Sequence, residues 1–190
     1  KEIIQDISSN NLTESEIAYF VSAVYKSGMS IKETIYLTEE MVKAGEKLNL
    51  NKKIIADKHS IGGIAGNRTT PLIVPICASA GLLMPKTSSR AITTAAGTAD
   101  VIESIAKVEF SIAEIKNIIR KTNACMVWGG ALAFAPADDK LIQVEKLLNL
   151  DPEPQLLASI MAKKLAAGST HVLIDIPFGK SAKVTRKQAL

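Results

Sequence analysis

Between residues 57 and 70 the chain reads Asp-Lys-His-Ser-Ile-Gly-Gly-Ile-Ala-Gly-Asn-Arg-Thr-Thr, a concentration of charge, hydroxyls and glycine between two apolar segments. Lys58, His59 and Arg68 are cationic or ionisable, and Ser60, Thr69 and Thr70 carry hydroxyls. The apolar spacing predicts a strand over 53–56 and a helix over 71–80, with Thr70 as N-cap and Pro71 at the first helical position. A strand, a glycine-rich basic loop and a helix start together hold anions, because the helix end offers unpaired N–H groups and the positive end of its dipole. The spacing fits neither Gly-x-Gly-x-x-Gly nor Gly-x-x-x-x-Gly-Lys-Ser/Thr, so neither a Rossmann nor a P-loop reading applies. A strand-to-helix turn without a ligand would use the same glycines, and Lys58 and Arg68 would then be solvated charges.

A second polar segment, Lys86-Thr87-Ser88-Ser89-Arg90, carries two charges and three hydroxyls, and Thr98 follows Ala96-Gly97 at the head of an expected helix. Such Ser and Thr residues serve as turns and caps, or as donors to a phosphate whose charge Lys58 offsets. Ser159 and Lys163 lie four apart and share one face of a helix expected over 153–166. Asp151 precedes Pro152 at the start of that helix, where a carboxylate is by type an N-cap. A helix N-terminus favours the ionised carboxyl, so an acid role at that place requires apolar burial or a nearby anion.

Positioning these groups falls to a regular pattern of elements. Thr13-x-x-Glu16, Ser30-x-x-Glu33 and Ser111-x-x-Glu114 are capping boxes, the first two opening helices that end at Gly28 and Gly45. Ile17, Phe20, Val21 and Val24, then Ile35, Leu37, Met41 and Val42, form apolar stripes of a helical lobe over residues 1–50. From residue 51 to 190, short strands (53–56, 82–84, 124–127, 172–175) alternate with helices (71–80, 99–104, 112–122, 141–147, 153–166). Alternation of this kind predicts an α/β domain of mostly parallel strands with crossover helices and ligands at the strands' carboxyl ends. The polar segments follow directly after the expected strands, which favours one shared site. Both ends of the chain read as cut, so it is expected to be a piece of a larger enzyme, its α/β domain incomplete at the C-terminus.

Composition narrows the classes. The 190 residues are 47% apolar, enough for a real core, with a formal net charge of only +4 and 4% aromatics. Neither a basic patch nor a base-stacking platform is indicated, so no nucleic-acid partner is expected. Cys77 and Cys125 sit in apolar surroundings without metal or redox spacing, as buried thiols do in a reducing cytoplasm. The longest apolar run, 72–84, contains Pro75 and is too short to span a bilayer.

Asp57-Lys58-His59-Ser60 with Gly62-Gly63 resembles the signature of thymidine and pyrimidine-nucleoside phosphorylases, and Ala65-Gly66-Asn67-Arg68-Thr69-Thr70 is similar to their archaeal AMP phosphorylase branch. The resemblance continues collinearly through residues 85–93, 96–100, 128–139 and 158–164. It implies a nucleoside phosphorylase and phosphoribosyltransferase-like fold, with Lys58, Ser60, Ser88 and Thr98 as phosphate ligands and Thr69 or Thr70 standing where the thymidine enzymes have a further Ser. It further implies nucleotide contacts from Gly63, Ser89, Arg90, Ala91, Ile92, Thr93, Thr94, Thr98 and Lys183, although by residue type Lys183 is part of a basic tail. Ser159 and Lys163 would bond the base, His59 the base or sugar, and Asp151 would donate the proton to the leaving base.

The thymidine enzymes place an Arg before the last of these helices, where this chain has Gln143-Val144-Glu145-Lys146. The resemblance therefore implies phosphorolysis of a nucleoside 5′-monophosphate: AMP and phosphate giving adenine and ribose 1,5-bisphosphate, with CMP and UMP as further substrates. A nucleoside phosphorylase acting on thymidine or uridine is the alternative. Inorganic phosphate would be a co-substrate, with no metal or other cofactor. Small molecules would be the partners, with no membrane, in a cytoplasmic homodimer or higher homo-oligomer that uses the helical lobe as its interface.

Overall fold

A computed structural model describes residues 1–190 except 62–63, 65–67, 92–95, 133, 181, 183 and 190. Gly63, Ile92, Thr93, Thr94 and Lys183, all expected nucleotide contacts, lie outside the described residues.

Three helices open the chain: α1 (Glu2–Ser8), α2 (Glu14–Ser27) and α3 (Ile31–Lys43). The first two capping boxes form as expected. Thr13 N–H donates to the Glu16 carboxylate at 2.8 Å and Ser30 N–H to Glu33 at 2.7 Å, while each N-cap hydroxyl accepts the return N–H. Gly28, at φ 69°, ends α2 in a backbone region that side chains disfavour. Helix α3 stops at Ala44, one residue before the expected Gly45, with Ala44 still in the right-handed helical region.

Beyond them come β1 (Ala56–Ser60), α4 (Thr69–Ser79), β2 (Met84–Ser88), α5 (Thr98–Glu103), α6 (Ile112–Thr122) and β3 (Ala124–Trp128). A 3-10 turn (Gly129–Leu132), α7 (Pro136–Leu148), α8 (Glu153–Ala166), β4 (His171–Asp175) and α9 (Arg186–Ala189) complete the order. β1 pairs with β4 and β2 with β3, both in parallel, as the alternation of strands and helices requires. The pairs meet where Ala56 N–H donates to Leu83 O at 2.9 Å, so the ends of β1 and β2 are close neighbours.

Two strands differ from the apolar pattern in a way that matters. The strand expected over 53–56 runs 56–60, and that over 82–84 runs 84–88. Hydrophobicity could not mark them because their polar residues are buried against other polar residues: Asp57, Lys58, Lys86, Thr87 and Ser88 are all buried. Similarly, α4 begins at Thr69 with Arg68 at the N-cap, placing Thr70 in the first turn. Pro152, not Asp151, stands at the N-cap of α8.

One core joins Ile4, Ile7, Val21, Leu37 and Met41 of the first three helices to Ala137 and Leu141 of α7 and Ala158 and Ala162 of α8. The helical segment thus closes over α7 and α8 with shared apolar contacts. Lys140 of α7 adds Nζ bonds to the carbonyls of Ile7 at 2.6 Å and Ser8 at 3.1 Å, at the negative end of α1. A second cluster packs Ile115 and Ile119 of α6 on Val127 of β3 and Phe134. Asn123, left-handed at φ 61°, ends α6 one residue before β3, and Asn149 does the same for α7 at φ 53°. Among the described residues no helix is long and apolar enough to cross a membrane.

Truncating Ile115, which has no exposed surface, to Ala should cost about 2–5 kcal/mol by urea denaturation. Thr13→Ala, which opens an exposed capping box, should cost only about 1 kcal/mol.

Candidate anion and base site

Because β1 and β2 run side by side, Ser60 and Ser88, their last residues, mark the edge at which the polar segments emerge. Lys58, almost wholly buried, donates from Nζ to Thr69 Oγ1 at 2.8 Å and pairs with Asp175 Oδ2 at 2.8 Å. Asp175 ends β4 directly opposite Ser60. Thr69, rather than Thr70, is therefore the hydroxyl that stands beside Lys58.

The segment after β2 is folded back on itself. Asp100 Oδ2 accepts the N–H of Gly97 at 2.9 Å and that of Ala91 at 2.8 Å, so one carboxylate fastens both ends of the loop. Gly97 is required there: a Cβ would stand 2.4 Å from Ser89 O. Ser88 Oγ donates to Ser89 O at 3.3 Å. Thr98 is the first residue of α5, after the Gly97 N-cap, and lines a narrow gap with Ser88, Lys86 and Ile102. Ser88 and Thr98, two of the residues expected to hold phosphate, thus line the same gap. The Arg90 guanidinium forms ion pairs with Glu103, with Glu109 at 3.2 Å and with Asp100 at 3.6 Å, and it lies 4.5 Å from the Trp128 ring centre. Its hydrogen bonds to Glu103 raise its already high pKa. In this structure Arg90 clamps the loop to α5 and β3.

Beneath these loops lies a buried cluster of lysines. Lys164, 1% exposed, pairs with Asp57 Oδ2 at 2.8 Å and donates to Thr87 O at 2.8 Å and Thr87 Oγ1 at 3.0 Å. Asp57 Oδ1 accepts the Lys58 backbone N–H at 2.7 Å. Lys86 Nζ donates to the same Thr87 carbonyl. Lys163 pairs with Asp138 Oδ2 and donates to Ser159 Oγ at 3.0 Å, while Ser159 donates to Asp138 Oδ2 at 3.1 Å. The expected helical spacing of Ser159 and Lys163 thus makes a triad closed by Asp138. The 3-10 turn packs against it, since a Cβ on Gly129 would stand 3.0 Å from Lys163 Cδ.

His59 Nδ1 is buried and, among the described residues, has no hydrogen-bond partner. Burial first, then the charges of Lys164, Lys86, Lys163 and Lys58, hold its pKa well below the ordinary value, so the ring is neutral near neutrality. Burial also pushes the Asp139 carboxyl up to about 6, opposed by Lys163 and reinforced by Asp138. Cys125 is a buried thiol, as expected, and burial pushes it up to about 12.

Asp151 is placed elsewhere. It lines a cleft of about 980 Å³ between the end of α2, the start of α3 and the first turn of α8, together with Tyr25, Gly28, Met29, Ile35 and Leu157. Ser88 and Thr98 do not line this cleft. The structure therefore gathers Lys58 with Thr69, Ser88 with Thr98, and Ser159 with Lys163, and sets Asp151 two helical turns before Ser159. The buried aspartates and Lys164 escaped the sequence reading because a charged residue in a short motif carries no mark of the partner that neutralises it.

The chain matches the helical bundle domain of the glycosyl transferase family over residues 1–45 and the a/b domain of that family over 52–187. It is 54% identical over 182 residues to an AMP phosphorylase of Pyrococcus furiosus, covering 96% of this chain and 36% of that protein. It is 52% identical over 182 residues to a protein of Cupriavidus necator named "Putative thymidine phosphorylase 1", covering 96% and 35%. The chain spans just over a third of the length of the curated relatives it matches. Among solved structures, an anthranilate phosphoribosyltransferase of Thermus thermophilus superposes with a TM-score of 0.78 at 17% identity, over 92% of this chain and 53% of the other, which shows a common fold. With both of its parts matched in order, the chain belongs to this glycosyl transferase family.

Proposed function

We propose that the protein of which this chain is part cleaves a nucleoside 5′-monophosphate, AMP foremost, with inorganic phosphate, giving the free base and ribose 1,5-bisphosphate. The observation that supports this reading is that the polar groups lie at the ends of neighbouring strands: Lys58 of β1 bonds to Thr69 at the start of α4, and Ser88, which ends β2, lines one gap with Thr98 of α5. Cations and hydroxyls set on rigid strand ends suit a tetrahedral oxyanion. Phosphate held there attacks the anomeric carbon as the glycosidic bond breaks, through a transition state of oxocarbenium character. The protein contributes mostly position and electrostatics. The Asp138–Ser159–Lys163 triad presents a hydroxyl and an ammonium on one helix face, and both can turn to the base. Relatives named for AMP and for thymidine are about equally similar to the chain. The nucleotide is preferred because segment 143–146 lacks an Arg for a pyrimidine carbonyl.

Two carboxyls are candidates for protonating the leaving base. Asp151 is favoured by its match to the archaeal proton donor. Asp139 is favoured by its environment, since burial keeps its proton up to about pH 6 beside the base-facing triad.

Phosphate-dependent base release should be robust from AMP and weaker from thymidine in the full chain; turnover of thymidine with none of AMP would refute the nucleotide reading. Asp151→Asn should lower base release on the order of a hundredfold or more with phosphate binding retained. Asp139→Asn reports on the second acid through stability. Below about pH 4 the folded and unfolded chains both hold the Asp139 proton; between about 4 and 6 only the folded chain keeps it, and stability falls as pH rises. The variant should therefore be more stable than wild type by about 2–3 kcal/mol at pH 7 and equal to it at pH 4, read from urea midpoints.

A further inference from the structure

Arg90 stands two residues past the end of β2, and Trp128 ends β3 directly opposite Ser88. The guanidinium lies 4.5 Å from the Trp128 ring centre. Both of its terminal nitrogens bond the Glu103 carboxylate, and Nη2 reaches Glu103 Oε1 at 2.8 Å and Glu109 Oε1 at 3.2 Å. Glu109 follows Val108, whose carbonyl accepts the Trp128 backbone N–H at 2.8 Å. A planar fork thus joins carboxylates to an aromatic ring, an arrangement suited to a guanidinium and not to an ammonium. Three carboxylates already answer its charge, which makes it a poor ligand for a nucleotide phosphate.

From the indole the contacts run on to the 3-10 turn. A Cβ on Gly130 would stand 2.6 Å from Trp128 Cζ2 and 3.0 Å from Asp139 Oδ1, so the Gly130 backbone packs directly on the ring and on a carboxylate of α7. Gly129 packs on Lys163 in the same way, its Cβ position 3.0 Å from Lys163 Cδ. Lys163 in turn bonds Ser159 and Asp138. Arg90 and Lys163 therefore stand at the two ends of one unbroken run of contacts: guanidinium, indole, two glycines and the stem of the ammonium.

We propose that Arg90 is a positioning residue of the base site: through Trp128 it seats the Gly129–Gly130 turn against Lys163 and so holds the ammonium beside Ser159. This rests on the reading of Ser159 and Lys163 as the groups that bond the base. The glycines have no side chains of their own to anchor the turn, so its placement falls to what packs on it. Trp128 is half-buried and, among the described residues, joins none of the apolar clusters, so its ring relies on the guanidinium for its orientation. The ion pairs of Arg90 are themselves partly exposed and contribute little to stability. Their effect is on where the ring stands, which a run of packed groups passes to Lys163.

The test titrates adenine, with thymine in parallel, into the full chain and its Arg90→Met, Trp128→Leu and double variants. Arg90→Met and Trp128→Leu should each bind the base about tenfold more weakly than wild type. The losses should not multiply: the double variant should bind no more weakly than Trp128→Leu alone. Trp128→Tyr, which keeps an aromatic face for the guanidinium, should retain most of the affinity. Equal base affinity in wild type and Arg90→Met, or losses that multiply in the double variant, would overturn the proposal while leaving the base site standing. A guanidinium that only braced the fold would lower the urea midpoint and spare the base, and one that held the substrate's phosphate would weaken AMP and spare the base; either result overturns the proposal. Binding of neither base by wild type would remove the base site and the proposal with it. Should Arg90→Met fail to fold, wild type labelled with 5-fluorotryptophan decides. Its Trp128 ¹⁹F resonance, assigned with Trp128→Tyr, should shift as base binds, and an unmoved resonance with base bound overturns the proposal.

Discussion

The pairing of Lys164 with Asp57 is the constraint on which the site depends. Two charges taken fully out of water are tolerated only when each finds close partners, and here they do. Lys164 adds both oxygens of Thr87, and Asp57 adds the Lys58 backbone N–H. The network fixes β1, β2 and α8 against one another at the edge where the hydroxyls emerge. Removing either partner would strand the other as an unpaired charge in the interior, a loss of about 3–5 kcal/mol. Polar groups, beside the apolar packing of the strands, hold these ends together.

The same reasoning accounts for the rest of the architecture. Apolar stripes of α2 and α3 close over α7 and α8 and shield the Asp138–Ser159–Lys163 triad from that side. The second cluster, around Ile115 and Phe134, backs β3 and supports the 3-10 turn that rests on Lys163. After β2, Asp100 ties Ala91 to Gly97 and Arg90 pairs with Glu103, so the backbone between Ser88 and Thr98 is braced at both ends.

Local rules were readable at the capping boxes and less so at the other helix starts, where Arg68 and Pro152 take the N-cap places expected of Thr70 and Asp151. The three Ser/Thr-x-x-Glu boxes each opened a helix, and Gly28 closed one, because capping is settled by neighbours three or four residues away. The parallel pairing followed from the alternation of elements. Strand positions did not: hydrophobicity pointed to 53–56 and 82–84, whereas the strands carry Asp57-Lys58-His59-Ser60 and Lys86-Thr87-Ser88 themselves. Their burial depends on Lys164 and Asp175, more than seventy residues away in the chain, and no local pattern reports that. Ser159 with Lys163 was legible from helical spacing; Asp138, which joins them, arrives from another helix and was not.

Adjacent residues of α8 take part in two separate buried networks. Lys163 leans to Asp138 and Ser159, and Lys164 to Asp57 and the strand that leads to Ser88. Both networks are therefore borne by neighbouring positions of one helix, so a rotation of α8 about its axis would displace both lysines together.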